Sequence, residues 1–365
     1  MKTSLRQAAT PQHPSQPRRN NRPLPKTPSS GHHPRRRFLG MAAGAAALSA
    51  VPRVARAQTY PTRPITIVVP APAGGPSDAI ARVLAEQIRV SLGQSIIIEN
   101  VGGADGSIAT GRVARARPDG YTIELGIKST HALNGALYSL PYDVLSDFAP
   151  IAPLATNPLF LFTRKTMPAD NLNELIVWLK ANPKTASAGI AATTAHLITA
   201  FFEKETKTQF AFVPYRGEAP AIQDLVAGQI DICVGSPLQL PLVRAGSIKA
   251  YAATSDTRST LAPDIPTFTE LGLPSLSFSN WYALFAPKQT PKEIIDRLNA
   301  ATVQALAASV VQSRLLDLGD EIFPRDRQTP EALGSLVKAD AGKWWPIIKQ
   351  LGISGSTPTV PVPPT

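Results

Sequence analysis

The chain has 365 residues, of which 43% are hydrophobic, and its formal net charge is +11. This length is sufficient for two compact lobes with buried cores. The excess positive charge lies in residues 1–57, which hold 11 of the 37 Lys and Arg residues and none of the Asp and Glu residues. The remainder is therefore close to neutral, and its charge does not support a nucleic-acid partner.

Residues 1–57 predict a disordered leader followed by an export signal. Arg35-Arg36-Arg37-Phe38-Leu39 precedes the apolar run 41–51, and Ala55-Arg56-Ala57 is typical of a cleavage site before Gln58. The paired arginines are similar to a twin-arginine signal, so we expect export to the periplasm with cleavage near Ala57. A membrane anchor is the weaker alternative, because the apolar run is too short to span the bilayer.

The first half of the remaining chain alternates short apolar runs with helical periodicity. Residues 65–69 predict a strand, residues 78–92 a helix with apolar residues on one face, and residues 96–98 and 122–127 two further strands. Residues 109–116 predict a short helix. This alternation is typical of parallel strands joined by crossover helices, an α/β architecture.

The second half repeats the pattern and ends in helices. We predict strands at 159–163, 209–213, 230–234, 248–254 and 281–285, and helices at 172–181, 194–204, 219–227, from Pro291 onward and at 330–350. Two such α/β assemblies predict two lobes with a ligand-binding cleft between them.

A glycine-rich loop, residues 70–78, connects the first strand to the first helix. Its sequence is Pro-Ala-Pro-Ala-Gly-Gly-Pro-Ser-Asp. Glycines allow close approach of the backbone to a ligand, and free amides at a helix start favour an anion. A tight turn capped by Ser77 or Asp78 explains the same residues equally well. The loop lacks the lysine of a P-loop, which argues against nucleoside triphosphates.

Polar residues follow several other predicted strands. The loop 100–108 is a second glycine-rich turn, and its scaffold role is slightly favoured. Residues 130–134 and 191–196 carry hydroxyl, amide and imidazole groups that could reach the expected cleft, although a lone His such as His131 is more often a structural residue than a ligand group. Arg216 is the best single partner for a carboxylate, because its guanidinium matches two oxygens, although a solvated surface role fits it as well.

Signatures of catalysis and metal binding are missing from the sequence. It contains no Gly-x-Ser-x-Gly motif and no Cys-x-x-Cys or His-x-x-x-His spacing. The single cysteine, Cys233, lies in an apolar run and is interpreted as a small buried residue. We therefore predict a protein that is not an enzyme and needs no cofactor or metal.

Several of these strings together resemble the tripartite tricarboxylate transporter substrate-binding family, also called the Bug family. The similarity covers most of residues 60–354. It rests on the order and spacing of Tyr60–Ile65, the loop from Pro70, Arg117–Thr122, Thr130–Asn134, Val213–Gly217 and Ala227–Asp231.

The resemblance implies a two-lobed periplasmic-binding-protein-like fold that closes by hinge rotation, and a monomer. The first lobe would contain residues 58–160 and 282–353, the second residues 161–281, and residues 354–365 would form a flexible tail. The family also implies that a small organic carboxylate binds mainly to main-chain amides of the first loop. Carried over to this sequence, the implied ligand-binding residues are Ala73, Gly74, Gly75, Ser77, Thr130, His131, Asn134, Thr193, Thr194, His196, Tyr215 and Arg216.

The sequence departs from its relatives after the strand that ends at Val234. Many relatives have Asp there, which can pair with a ligand amine, whereas this chain has Gly235-Ser236. We include Ser236 among the candidate residues, and interpret the missing Asp as evidence against amino-acid ligands. Residues 191–196 also carry fewer hydroxyls than in relatives, so an aromatic or branched acid is an alternative to a di- or tricarboxylate.

Three functions remain open at this point. The resemblance favours capture of a carboxylate for the membrane subunits of a tripartite transporter. Presentation of the ligand to a membrane sensor is the alternative, and nothing in one sequence separates the two. An exported hydrolase that uses the same cleft is the least supported, because no nucleophile and base are evident.

Overall fold

The computed structural model describes residues 60–352, so the predicted leader, the export signal and the C-terminal tail lie outside the described residues. The first part contains β1 (Ile65–Val69), α1 (Pro76–Leu92), β2 (Ile96–Asn100), α2 (Ser107–Ala114), β3 (Thr122–Ile127), α3 (Asn134–Leu137) and β4 (Phe148–Pro158). The middle contains β5 (Phe160–Arg164), α4 (Leu172–Ala181), β6 (Ser187–Ile190), α5 (Thr193–Thr206), β7 (Ala211–Pro214), α6 (Glu218–Val226), β8 (Ile232–Gly235), α7 (Leu240–Arg244) and β9 (Ile248–Ala253). The last part contains β10 (Ser279–Pro287), α8 (Lys292–Ala307), α9 (Ser309–Asp317), β11 (Glu321–Ile322) and α10 (Pro330–Leu351).

The strands of the described chain form two sheets, and each sheet is the centre of one lobe. The order is β11-β4-β10-β3-β1-β2 in the first sheet and β7-β6-β8-β5-β9 in the second. We name residues 60–158 and 279–352 the first lobe, and residues 159–278 the second lobe. The chain thus crosses between lobes twice, after β4 and before β10. The predicted two-lobed α/β fold is confirmed.

Both sheets contain parallel strands, as the alternation of strands and helices predicted, together with antiparallel ones. β1 pairs in parallel with β2 and β3, and β6 pairs in parallel with β7 and β8. In contrast, β10 pairs antiparallel with β3 and β4, and β5 pairs antiparallel with β8 and β9. These antiparallel strands directly follow the two crossings, where the chain enters a sheet from the opposite end instead of through a crossover helix.

Helix α1 shows why its sequence folds in this way. Pro76 occupies its first turn, where a missing N–H is tolerated, and Ile80, Leu84 and Ile88 form one buried face against the sheet. The helix ends at Gly93, whose φ of 67° is left-handed. The loop 70–77 connects the carboxyl end of β1 to the first turn of α1, and this loop faces the second lobe.

Helix α10 connects the lobes by packing. It returns along the first lobe, and its last turns contact the second: Trp344 packs against Phe201 and Phe278, with ring centroids 6.3 Å and 5.1 Å apart. The core of the second lobe accordingly includes Trp344 and Ile348. Helix α10 therefore packs against both lobes.

Within residues 60–352 no single helix has the length and apolar composition to cross a membrane. Among these residues, only α8 and α9 combined reach that length and composition, and the two helices are bent by 73° relative to each other.

Candidate functional site

A cavity of about 80 Å³ lies between the two lobes. The first lobe contributes residues 70–72 and 75–77 with Asp105, and the second contributes residues 191, 192, 194, 195 and 216–218. Asn280 and Tyr282, at the start of β10, line it next to the second crossing. Because both lobes and a crossing strand line it, its shape depends on how the lobes are closed.

The N-terminus of α1 faces this cavity. Gly75 and Ser77 line it, whereas Ala73 and Gly74 are not among its lining residues. The Gly74 amide donates to the Asp78 carboxylate (3.0 Å) instead, as does Arg82 Nε (3.0 Å). Burial raises the pKa of Asp78, but these hydrogen bonds outweigh it and hold the pKa below its ordinary value. Asp78 therefore fixes the loop, and the first-turn amide of Ser77 has no acceptor within the helix.

The start of α5 forms the opposing wall, but its hydroxyls bind the first lobe. The Thr193 amide donates to Asp105 Oδ1 (3.1 Å), and the Thr193 hydroxyl donates to the same carboxylate. Thr194 Oγ1 lies 2.5 Å from Ser129 Oγ. Asn134 also belongs to this contact, since its Oδ1 lies 2.6 Å from Thr193 Oγ1. Thr193 and Asn134 thus hold the lobes together, and only Thr194 of this group lines the cavity.

Asp105 is an interlobe residue that the sequence did not single out. It lies between β2 and α2 with a left-handed φ of 54°. Burial raises the pKa of its carboxyl to about 6. Hydrogen bonds from Thr193 and Tyr138 lower the pKa, but by less than burial raises it. An acidic group at this contact couples the first lobe to the N-terminus of α5.

Glu218 is the second acidic residue that the sequence did not single out. It begins α6 and lines the cavity next to Arg216 and Gly217. Its Oε1 accepts hydrogen bonds from Ser236 Oγ (2.8 Å) and Gln239 Nε2 (2.8 Å), and the Ser236 amide lies 3.1 Å from both carboxylate oxygens. Burial raises the pKa of this carboxyl. Ser236 therefore acts on Glu218 and is not itself a lining residue.

The position of Glu218 removes the argument drawn from Gly235. A Cβ added at Gly235 would lie 3.2 Å from Glu218 Oε1. A carboxyl group therefore occupies the space where an Asp at position 235 would reach, but it comes from another segment. The missing Asp consequently gives no physical reason to exclude amino-acid ligands.

Of the other predicted residues, Arg216 lines both the cavity and a neighbouring groove of about 530 Å³, whereas Tyr215 and His196 line only the groove. The Tyr215 hydroxyl donates to Asp224 Oδ2 (2.6 Å). The His196 ring packs edge-on against Phe212, and burial lowers its pKa. Arg216 is the one cationic side chain among the described residues that line the cavity.

The structure places His131 and Thr130 in the core of the first lobe. The His131 ring stacks on Phe285 at 3.8 Å, and its Nδ1 lies 2.9 Å from Thr130 Oγ1. Its Nε2 lies 3.7 Å from Glu124 Oε2, too far for a hydrogen bond. Burial lowers the pKa of His131 and raises that of Glu124, so burial favours the neutral form of both groups. Neither His131 nor Thr130 lines the cavity.

Within residues 60–352 no cluster of three or more His, Cys, Asp or Glu side chains has a geometry suited to a metal ion. Cys233 is buried, and burial raises the pKa of its thiol.

Comparison with known proteins identifies the fold and the family. The family model described as "Tripartite tricarboxylate transporter family receptor" matches residues 80–353. Protein BugT of Bordetella pertussis is 35% identical over 301 residues, which is 81% of this chain and 91% of BugT. The periplasmic binding protein BugD superposes with a TM-score of 0.78 at 35% identity, covering 81% of this chain and 99% of BugD.

A ligand-bound structure is equally similar. MatC from Rhodopseudomonas palustris, solved with bound malate, has a TM-score of 0.77 at 35% identity and covers 79% of this chain and 100% of MatC. The resemblance inferred from the loop strings is therefore confirmed. The chain belongs to the tripartite tricarboxylate transporter receptor family of periplasmic solute-binding proteins.

Proposed function

We propose that this protein captures a small organic acid between its lobes, with the ligand carboxylate at the start of α1. The observation that carries the proposal is the interlobe cavity, where Gly75 and Ser77 face Arg216. Free amides and the positive end of the helix dipole favour an anion there, and the guanidinium offers the opposite charge.

The energies are sufficient for useful affinity. A hydrogen bond to a charged group contributes about 1.5–3 kcal/mol. Three or four of them approach the roughly 8 kcal/mol of micromolar binding once ordering costs are subtracted. Malate is the ligand in the MatC structure, which supports a small acid for this chain as well.

The size of the cavity favours an aliphatic over an aromatic acid. It measures about 80 Å³, whereas a cavity that holds benzene measures about 150 Å³. The aromatic alternative raised by the sequence would require a more open arrangement of the lobes.

We infer that the protein binds without catalysing a reaction. The cysteine and the two histidines of the described chain do not line the cavity: Cys233 is buried in the second lobe, and His131 is stacked within the first. His196 packs against Phe212 in the neighbouring groove. These placements support a binding function over the hydrolase alternative.

We further propose that the chain is exported by the twin-arginine route, cleaved near Ala57, and delivers its ligand to membrane transporter subunits. Mass spectrometry of the periplasmic protein should place its N-terminus at Gln58, and replacement of Arg35 and Arg36 by Lys should retain the protein in the cytoplasm. An unprocessed or cytoplasmic wild-type protein would contradict the export proposal. Deletion of the gene should abolish uptake of the bound acid.

A thermal-shift screen tests the binding function. The purified protein is unfolded and refolded to remove bound ligand, then heated with dicarboxylates, tricarboxylates, hydroxy acids, amino acids, aromatic acids and neutral sugars. A ligand at about 100 times its Kd stabilises the folded state by roughly 2.7 kcal/mol, which moves the melting temperature by several degrees. A selective shift with one class of acid is the expected result. No shift with any acid would reject the proposal.

A further inference from the structure

Glu218 and Asn280 give the cavity a second, acceptor-bearing wall. Both residues line the cavity, one at the start of α6 and the other on β10. The side-chain oxygen Oδ1 of Asn280 is buried and has no hydrogen-bond partner within the described residues. Asn280 itself is only 7% exposed. A buried acceptor without a donor is costly, so this wall is built to receive a donor from something that enters the cavity.

The contacts of Glu218 leave one of its two oxygens available. Oε1 accepts from Ser236 Oγ, the Ser236 amide and Gln239 Nε2, whereas Oε2 shares only the Ser236 amide at 3.1 Å. Burial raises the pKa of Glu218, and the hydrogen bonds from Gln239 and Ser236 offset this effect only in part. Oε2 has fewer donors than Oε1, so it keeps lone pairs that can accept a hydrogen bond from a ligand.

The charges around the cavity point the same way. Arg216 is the single cation, and Asp105 and Glu218 the two acids, among the described lining side chains. A ligand whose second carboxylate lies at the end next to Glu218 would meet an acidic group there, whereas a hydroxyl or ammonium group would meet an acceptor. Like charges in a poorly solvated space repel strongly.

We propose that Glu218 and Asn280 make this cavity selective for acids that carry a hydrogen-bond donor, a hydroxyl or an ammonium group, over acids with a second carboxylate at that end. This inference rests on the proposed function and assigns a chemical class to the same site. Glu218 is thus a specificity-determining residue. It takes over the role suggested for an Asp at position 235, because its carboxylate fills the adjacent space.

The test is a matched series of ligands titrated calorimetrically into the full chain. Aliphatic acids of three to six carbons are used in four forms, unsubstituted, hydroxy, amino and dicarboxylic, with substituents at the second and at the last carbon. For four carbons the terminal series is butyrate, 4-hydroxybutyrate, 4-aminobutyrate and succinate. We expect the tightest donor-bearing member to bind at least tenfold more tightly than its unsubstituted and dicarboxylic counterparts. Whether the hydroxy or the amino form is tighter identifies the donor.

The variant E218Q provides the second arm. Its side-chain oxygen can still accept from Ser236 and Gln239, whereas its nitrogen would donate towards the cavity. We expect the preference for the donor-bearing acid to fall at least tenfold and the affinity for the dicarboxylate to rise. The matched control is E203Q: Glu203 is another partly buried acid on the second lobe, which accepts from the Phe210 amide (2.6 Å) away from the cavity. It should retain wild-type selectivity.

The outcomes separate this inference from the function on which it rests. If the wild-type chain binds dicarboxylic or unsubstituted acids as tightly as donor-bearing ones, the assignment of Glu218 is wrong while carboxylate binding stands. The same conclusion follows if E218Q keeps the wild-type order of ligands. If no acid in any form binds, the proposed function itself is wrong. The wild-type series decides the question even if E218Q does not fold.

Discussion

The contact between Pro72 and Gly217 offers the sharpest perturbation of lobe closure. Pro72 belongs to the first lobe and Gly217 to the second, and a Cβ added at Gly217 would lie 2.5 Å from Pro72 Cδ. The ring cannot retreat easily, because a Cβ at Gly102, on its own lobe, would already lie 3.0 Å from the same atom. The variant G217A should therefore clash only when the lobes are closed.

The magnitude follows from the geometry. Gly217 has a φ of 162°, an extended conformation that alanine also adopts, so the substitution adds no backbone strain. Overpacking by one methyl group costs about 1–3 kcal/mol, which corresponds to a roughly 5- to 150-fold increase in Kd. Without ligand, the open form relieves the clash, and the melting temperature should be unchanged or slightly raised.

Calorimetric titration of the preferred acid into G217A and wild type measures this effect. The control is G342A, in α10, where an added Cβ meets no atom within 4 Å; its affinity should equal that of wild type. An unchanged Kd for G217A, within a factor of two, would refute the idea that this contact forms on closure. A large loss of stability without ligand would show that the clash is present in the open form too.

Three further predictions test other parts of the account. S77A removes the Ser77 hydroxyl but keeps its amide, and the loss of a hydroxyl hydrogen bond to the ligand carboxylate should weaken binding roughly 10- to 150-fold, because a hydrogen bond to a charged group contributes about 1.5–3 kcal/mol; unchanged calorimetric affinity would assign carboxylate binding at Ser77 to the amide alone. D105A and T193A should each weaken binding, and their double-mutant cycle should give a coupling of about 0.5–3 kcal/mol, since the two residues bond across the lobes; additive losses would contradict an interlobe contact. Burial raises the pKa of Asp320 to about 8, so the folded chain retains a proton that the unfolded chain releases near about pH 4. The associated stability is complete below about pH 4 and is lost as the pH rises towards 8, so the melting temperature of wild type should fall more between pH 5 and pH 8 than that of D320N. D317N, a change at an exposed residue nearby, should keep the wild-type slope, and parallel slopes for D320N and wild type would refute the linkage.

Periodicity predicted those elements whose sequence signals are local. The bounds of β1, β3 and α4 agree with the sequence patterns. Strand β4 was not predicted, because Pro150 and Pro153 normally argue against a strand. The structure tolerates them since β11 pairs with β4 only at Ala155 and Thr156, so most of β4 lies at the sheet edge.

The sequence predicted those site residues that lie in a single loop. It did not predict those that reach the site only because segments distant in sequence come together in the fold. Gly75 and Ser77 follow from the strand–loop–helix pattern of residues 65–92. Glu218 and Asp105 do not, because their importance arises from contacts with segments distant in sequence. The signal available for Glu218 was its place directly after Arg216-Gly217 at a helix start.

For His131 the sequence left two interpretations open. Its position after β3 allowed a side chain near the cleft, since loops at the carboxyl ends of parallel strands meet there, whereas a lone His is more often structural. The backbone instead forms one wide helical turn at residues 129–133, and the ring stacks on Phe285. The direction of a side chain within a turn is set by packing that periodicity does not reveal.

Calorimetric titration of acids and their primary amides into refolded protein tests the central claim most directly. A primary amide has nearly the size and shape of the acid but removes the charge that the start of α1 and Arg216 are proposed to bind. We predict that one acid binds with a Kd in the micromolar range or below and that its amide binds at least 100-fold more weakly. Equal affinity for acid and amide, or no binding by any acid, would contradict the account.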